Sequence, residues 1–336
     1  MKRVLSGIQP TADSFHLGNY LGAIRQWVDL QNSHDAFFAI VDLHSLTVET
    51  DPKLMQERTL KSFAQLLAFG LDPNKCTLFL QSHIHQHNQL AWIMECLAGF
   101  GEASRMVQFK DKSLKAGDAR TNVGLFTYPL LQAADIMLYQ ADLVPVGEDQ
   151  RQHIELTRNL GQRFNSRYGE TFVIPEPLIL KSGAKINDLQ EPKAKMSKSA
   201  SSLSGLIDIL DQPEINAKKI KSTVTDTGRE VTFDEINKPG ISNLLTIYTS
   251  LTAKSISDAE AEFDGKGYGD FKSAVATVVA DYFSPIRVKT NELIANPGEL
   301  CEIIEFGAKK AEQVAEQTLR KVYKQLGLLP RSLDEI

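Results

Sequence analysis

An alternation confined to the first half of the chain constrains its fold more than any other feature. Short runs of β-branched and aromatic residues, Arg3 to Ile8, Ala36 to Asp42, Thr77 to Gln81 and Leu143 to Val146, are separated by stretches of helical length. Tyr20, Leu21, Ile24, Trp27 and Val28 recur at helical spacing, as do Leu60, Phe63, Leu66 and Leu67, after which Gly70 is a stop signal. Strand-sized runs joined by amphipathic helices predict a doubly wound α/β fold, with parallel strands and crossover helices. Sheets of this kind take ligands at the carboxyl ends of their strands, so the chemistry belongs in the loops that follow.

The texture changes after Gly183. Residues Gly183 to Gly205 are rich in Lys, Ser and Gly around Pro192, which predicts an exposed, mobile connection. Beyond it the chain reads as helical. Pro213 to Ser222 opens behind Asp211, Ser242 to Leu251 is amphipathic, and Leu300, Ile303, Ile304, Ala308, Ala311, Ala315, Leu319, Val322 and Tyr323 form one long stripe, the pattern of a helix-bundle core. With 336 residues the chain has room for about two domains, here 1–190 and 206–336 joined by 191–205.

Composition excludes several classes. The 42% hydrophobic and 24% charged content argues against disorder or a fibrous coil. No apolar run approaches the roughly 18 residues that span a bilayer, and Met1 to Gly7 holds only a brief apolar stretch after its two cations. A cytoplasmic protein without a membrane partner is the expectation. A net charge of −5 argues against non-specific binding along a phosphate backbone, and no DNA partner is expected. Local basic faces remain at Lys193, Lys195 and Lys198, at Lys218, Lys219 and Lys221, and at Arg320, Lys321 and Lys324; solvated helix faces are the plainer reading of each. Cys76, Cys96 and Cys301 are too few and too scattered for a disulfide framework or a four-thiolate metal site, and read as buried thiols.

There is no Gly-x-Gly-x-x-Gly after the first strand and no Walker P-loop, which argues against dinucleotide oxidoreductases and P-loop NTPases. Gly265-Lys266-Gly267-Tyr268-Gly269 fits a turn. His83, His85 and His87 alternate past the third strand and suggest a metal hydrolase as one alternative, but no neighbouring carboxylate completes a set, and surface or pocket-edge histidines are the simpler reading. In place of a P-loop stands Ser6-Gly7-Ile8-Gln9-Pro10-Thr11, followed by His16-Leu17-Gly18-Asn19 opening the first helix. A strand, a turn and a helix start carrying a histidine, a glycine and an amide offer backbone N–H groups and the positive helix end to a phosphate. Lys195-Met196-Ser197-Lys198-Ser199 adds two cations on a Ser-rich turn, the donors that phosphoryl or adenylyl transfer needs as charge builds on phosphate oxygens. The alternative is a solvated lysine loop beside a capped helix.

These two segments resemble the paired signatures of the class I aminoacyl-tRNA synthetases, and the chain resembles the bacterial-type tryptophanyl-tRNA synthetase family within them. The likeness also rests on Ser6 to Pro10, Gly18-Asn19-Tyr20, Arg105 to Ser113, Tyr128-Pro129-Leu130-Leu131-Gln132-Ala133-Ala134-Asp135-Ile136, Val144 to Gln150 and Lys221 to Asp226. These words run from residue 4 to about residue 325 in the family's order.

The resemblance implies a Rossmann-like doubly wound parallel sheet with a C-terminal helical domain. It implies a tryptophan–tRNA ligase with L-tryptophan, ATP and tRNA(Trp) as partners, Mg²⁺ carried by ATP, no protein-caged metal, and a homodimer. Residues 1–190 would bind ATP and amino acid, 191–205 would form the mobile loop, and 206–336 would meet the anticodon end of the tRNA. By match to the family's words, Gln9, Pro10, Thr11, Gly18 and Asn19 hold ATP, with Gly147, Glu148 and Asp149 on the nucleoside side and Ile186 at the adenine. Met196, Ser197 and Ser199 join Lys195 and Lys198 around the phosphates. Lys195, Lys198, Lys112, His16 and Asn19 form the catalytic set. Tyr128, Gln150 and His44 would surround the amino acid, with Asp135, on a helix beginning after Pro129, accepting from the indole N–H and Gln132 one turn before it; many members carry Met at Gln132 and Gln-His-Ala-Ile at Leu43-His44-Ser45-Leu46. A site built on that hydrogen bond would reject phenylalanine, because Asp135 would lose its partner. A tyrosyl-tRNA synthetase and a non-catalytic RNA- or protein-binding paralogue are the competing readings.

Overall fold

The computed structural model describes residues 1–10, 12–106, 122–147, 150–179, 185–197 and 203–329, and the fold follows from them. Strand β1 (Arg3–Ile8) leads into helix α1, in which the α-helical segments Leu17–Asn19 and Arg25–Leu30 flank a π-helical middle, Tyr20–Ile24. Then come β2 (Asp35–Ile40), α2 (Asp42–Ser45), α3 (Pro52–Ala68), β3 (Cys76–Leu80), a 3₁₀ turn (Gln81–His83), α4 (Gln86–Leu97) and α5 (Phe100–Ser104). The middle of the chain holds α6 (Val123–Leu138), β4 (Leu143–Pro145), α7 (Arg151–Tyr168) and β5 (Glu176–Leu178). The last part is helical: α8 (Pro213–Lys221), α9 (Pro239–Thr252), α10 (Ile256–Glu262), α11 (Tyr268–Ala295) and α12 (Pro297–Leu326).

The five strands among the described residues pair in parallel, in the order β3-β2-β1-β4-β5. Covered on both faces, the strands split their residues by pleat between two cores. Val4, Ala36, Phe38, Ile40, Leu78 and Leu80 join the core beneath α1 and the late helices, where Trp27 stacks on Phe38 at 4.7 Å. Leu5, Phe37, Ala39 and Phe79 join the other, with α4, α6 and α7. The predicted 206–336 unit shares both cores with the sheet: Leu244, Phe271 and Leu300 lie in the first, Ala311, Ala315 and Leu319 in the second.

Helix α12 covers the free edge of β3, the position at which an unpaired strand invites wrong partners. Lys310 Nζ donates to the carbonyls of Pro73 (3.1 Å) and Cys76 (2.9 Å), and Gly307 presses so close to the strand that a Cβ there would overlap the Leu78 carbonyl oxygen. We therefore expect Gly307→Ala to lower stability by about 1–3 kcal/mol, because helix and strand must separate to admit the methyl group. Thermal melting checks this, and an unchanged midpoint would contradict it.

Several sequence expectations need correction. The helix carrying Asp135 starts at Val123, capped by the Asn122 side chain on Leu125 N (2.8 Å), and takes Pro129 inside it instead of starting after it. Cys76 is buried, but Cys96 and Cys301 are exposed, because each sits one residue off the buried stripe of its helix. The connection around 183–205 is not simply exposed. Ile186, Leu189 and Met196 are buried, and an antiparallel bridge joins Asn187 to Lys195. The three alternating histidines do not share an extended segment. His83 ends the 3₁₀ turn and is exposed, His85 precedes α4 and is exposed, and His87 lies inside α4 and is buried.

Candidate active site

In the order 3-2-1-4-5 the succession of strands, all parallel, turns back between β1 and β4, the switch point beyond whose carboxyl ends sheets of this kind take ligands. Gln9 and Pro10 follow β1 at that point, Gln9 exposed and Pro10 buried; Gly147, exposed, and Gln150, half-buried, follow β4. Gln9-Pro10 and Gly147 thus follow neighbouring strands, β1 and β4, on either side of that switch point. Thr11, Glu148, Asp149, Lys112, Lys198 and Ser199 lie outside the described residues.

The start of α1 is held from two sides. His16, buried, donates its backbone N–H to Asn19 Oδ1 (3.1 Å), while Leu17 N donates to Ile207 O (2.9 Å) and Ile209 N to Phe15 O (3.1 Å). Segment 186–196 folds back on itself, with Met196 N donating to Ile186 O (3.0 Å) and Asp188 N to Ala194 O (2.9 Å). Met196, only 1% exposed, is seated beside Gly18: a Cβ on Gly18 would lie 3.8 Å from Met196 Cβ and 3.0 Å from the His16 ring. The two sequence signatures therefore pack together, with Lys195 exposed and Ser197 half-buried on either side of the buried methionine. Ile186 is buried in the same core.

Beyond β2 and β3 lies a second feature, a buried carboxylate. Asp135, on the inner face of α6, accepts from His44 Nε2 at Oδ2 (2.7 Å), from His87 Nδ1 at Oδ1 (2.7 Å), and from Gln81 Nε2 at both oxygens (2.8 and 2.9 Å). Burial pushes its carboxyl up, but the two histidines outweigh burial and hold it well below the usual carboxylate range, so Asp135 is an anion. Tyr128, half-buried two turns earlier on α6, sets its ring edge-on to His44 at 6.3 Å and its hydroxyl within 3.1 Å of His153 Nε2; burial raises that phenol to about 12. Gln132 is half-buried on α6.

Of the predicted amino-acid residues, the structure joins His44 to Asp135 directly and brings Tyr128 against His44. It also changes one argument: Asp135 has three partners within the chain, so loss of an indole would not leave it bare. Gln81 and Tyr139 were missed, and His87 was misjudged as a surface or edge group. Gln81 could have been found from its position at the carboxyl end of β3. The His87–Asp135 contact spans 48 residues and has no local signal.

Among the described residues no group of three His, Cys, Asp or Glu side chains could hold a metal ion. A phosphate-receptive helix start after β1, a lysine-bearing turn seated on it, and a buried anion held by residues that follow β2 and β3 suit the activation of a carboxylate by a nucleoside triphosphate.

Comparison with known proteins agrees. The family model for class I tRNA synthetases (W and Y) matches residues 1–284. A tryptophan–tRNA ligase 2 of Streptomyces avermitilis is 61% identical over 98% of this chain and 97% of its own. The crystal structure of tryptophanyl-tRNA synthetase from Mycoplasma pneumoniae superposes with a TM-score of 0.88 at 36% identity, covering 98% of each chain. That of the Campylobacter jejuni enzyme, complexed with ADP and tryptophan, gives 0.86 at 36% identity over 97% of this chain and all of that one. The chain belongs to the class I tRNA synthetases that serve tryptophan and tyrosine, on the tryptophan branch.

Proposed function

We propose that the chain performs its tryptophan–tRNA ligase reaction in the crevice between the two signatures and Asp135. The tryptophan carboxylate attacks the α-phosphate of ATP, the bond to the β-phosphate oxygen breaks, and pyrophosphate leaves. A ribose hydroxyl at the tRNA 3′ end then takes the acyl group and releases AMP. Gln9, Pro10, Thr11, Gly18, Asn19, Gly147, Glu148, Asp149 and Ile186 hold ATP, which brings Mg²⁺ with it. Lys195, Lys198 and Lys112, with His16 and Asn19, stabilise charge on the departing phosphates. Asp135, His44, Tyr128, Gln132 and Gln150 receive tryptophan. Residues 206–336 carry the anticodon end of tRNA(Trp).

The observation that carries this reading is the seating of Met196 against Gly18, which ties the lysine-bearing turn to the helix start that faces phosphate. The test is charging of tRNA(Trp) with labelled tryptophan. Acid-precipitable label that depends on both ATP and tRNA(Trp) is expected; adenylate without charging would overturn the second step.

A homodimer is part of the reading. Leu46, Val48, Trp92, Phe100 and Val123 are exposed large apolar residues, and Leu46 and Trp92 line one hollow with Gly124 and Thr127. Apolar surface gathered in this way suits a partner face. Light scattering should give twice the chain mass, and a monomer mass would contradict it. No described helix is long and apolar enough to cross a membrane, and we place the reaction in the cytoplasm.

A further inference from the structure

We propose that His87 is a positioning residue for amino-acid recognition: braced by Tyr139 and acting with Gln81, it fixes Asp135 so that Oδ2, the oxygen shared with His44, is the one offered to the substrate's N–H. The proposal rests on the reading that Asp135 meets the indole.

A carboxylate has about four acceptor directions, and the chain already fills them with four contacts. A fifth donor can enter only where one of these yields. Two of the three partners are tied at both ends. Gln81 receives Leu43 N on its Oε1 (3.2 Å) while its Nε2 spans both Asp135 oxygens. His87 meets Asp135 with Nδ1 and the Tyr139 hydroxyl with Nε2 (2.8 Å), its ring packed between Phe79 and Tyr139. His44 is held differently: its Nε2 meets Oδ2, and its ring meets the edge of Tyr128, which the reading places in the substrate pocket. His44 is therefore the contact that gives way.

The tautomer of His87 follows from the same geometry. Tyr139 is completely buried, and its hydroxyl hydrogen needs an acceptor. The group it faces is His87 Nε2, so Tyr139 donates there, and the ring proton sits on Nδ1, donating to Asp135. Burial first, and the Asp135 charge second, keep that phenol protonated. The chain Tyr139 to His87 to Asp135 thus points one way, and no member can rotate without leaving a buried donor unmatched.

The test is steady-state pyrophosphate exchange on His87→Leu, His87→Asn, Tyr139→Phe and Asp135→Asn, with KM for tryptophan and for ATP measured separately. His87→Leu removes the donor, and the tryptophan KM should rise about 10- to 100-fold with the ATP KM and kcat within about threefold. His87→Asn keeps an N–H near the Nδ1 position and should restore the tryptophan KM to within about fivefold of the parent. Tyr139→Phe should raise it severalfold, and this variant carries the test if His87→Leu does not fold. Equal losses in both KM values and kcat, or His87→Asn no better than His87→Leu, would show a merely structural role and overturn the proposal. So would an unchanged tryptophan KM in Tyr139→Phe. Asp135→Asn separates the two levels: if it leaves the tryptophan KM untouched, the Asp135 reading fails. If it raises that KM while the His87 and Tyr139 variants do not, only the positioning proposal fails.

Discussion

Alanine in place of Lys195 should slow adenylate formation by about 10²- to 10³-fold while leaving tryptophan affinity within about threefold. The magnitude is that of losing one preorganised donor to charge that develops in the transition state. The selectivity follows from position. Lys195 is exposed, and what holds its neighbourhood is backbone: the bridge to Asn187 and the bond from Met196 N to Ile186 O survive truncation of the side chain. Met196, beside Gly18, keeps the turn seated. Rapid-quench measurement of adenylate alongside equilibrium tryptophan binding checks this, and equal losses in both would show that Lys195 supports structure and not chemistry.

The second large effect concerns stability. Asp135→Ala should destabilise the protein by about 3–5 kcal/mol, because three buried donors lose their acceptor at about 1–3 kcal/mol each. The side chains that supply them, His44, His87 and Gln81, are all buried. Denaturant unfolding measures it, and a loss below about 1 kcal/mol would mean that water enters and satisfies them.

The same carboxylate gives a pH signature with a definite sign. Burial raises the Asp135 pKa, His44 and His87 lower it further, and the folded value ends below the unfolded one of about 3.9. The unfolded chain then binds the proton more readily, so the contribution is present above that unfolded value and is lost as pH falls through it toward the folded one. The parent should lose stability more steeply than Asp135→Ala in that acid window. Parallel curves would contradict the assignment.

The doubly wound sheet was legible because parallel strands buried on both faces are written as short apolar runs. Arg3 to Ile8 is read without error, and Ala36 to Asp42 and Thr77 to Gln81 differ from β2 and β3 by one or two residues at their ends. Strand β5 was not legible. Three residues with a proline at their centre, Glu176–Leu178, are strand only because β4 lies beside them. The start of α6 was misread because Pro129 suggests a beginning, whereas Asn122 caps the helix seven residues earlier and packing carries it through the proline.

The site divides in the same way. His16 to Asn19 and Lys195 to Ser197 are contiguous words whose chemistry can be read from residue type, and the fold brings them together. The support of Asp135 is assembled from four elements, through contacts spanning 48 to 91 residues, and no periodicity within any one of them announces it. His87 illustrates the difference. In sequence it is the third of three alternating histidines; in space it alone turns inward, because α4 begins between His85 and His87 and sets the rest of the register.

Amino-acid-dependent exchange of labelled pyrophosphate into ATP tests the central claim most directly, with tryptophan, tyrosine and phenylalanine compared under identical conditions. Exchange with tryptophan, and background with the other two, is the expected result. Exchange with tyrosine at a comparable rate would contradict the specificity assigned to the Asp135 pocket, and no exchange with any of the three would contradict catalysis in this crevice altogether.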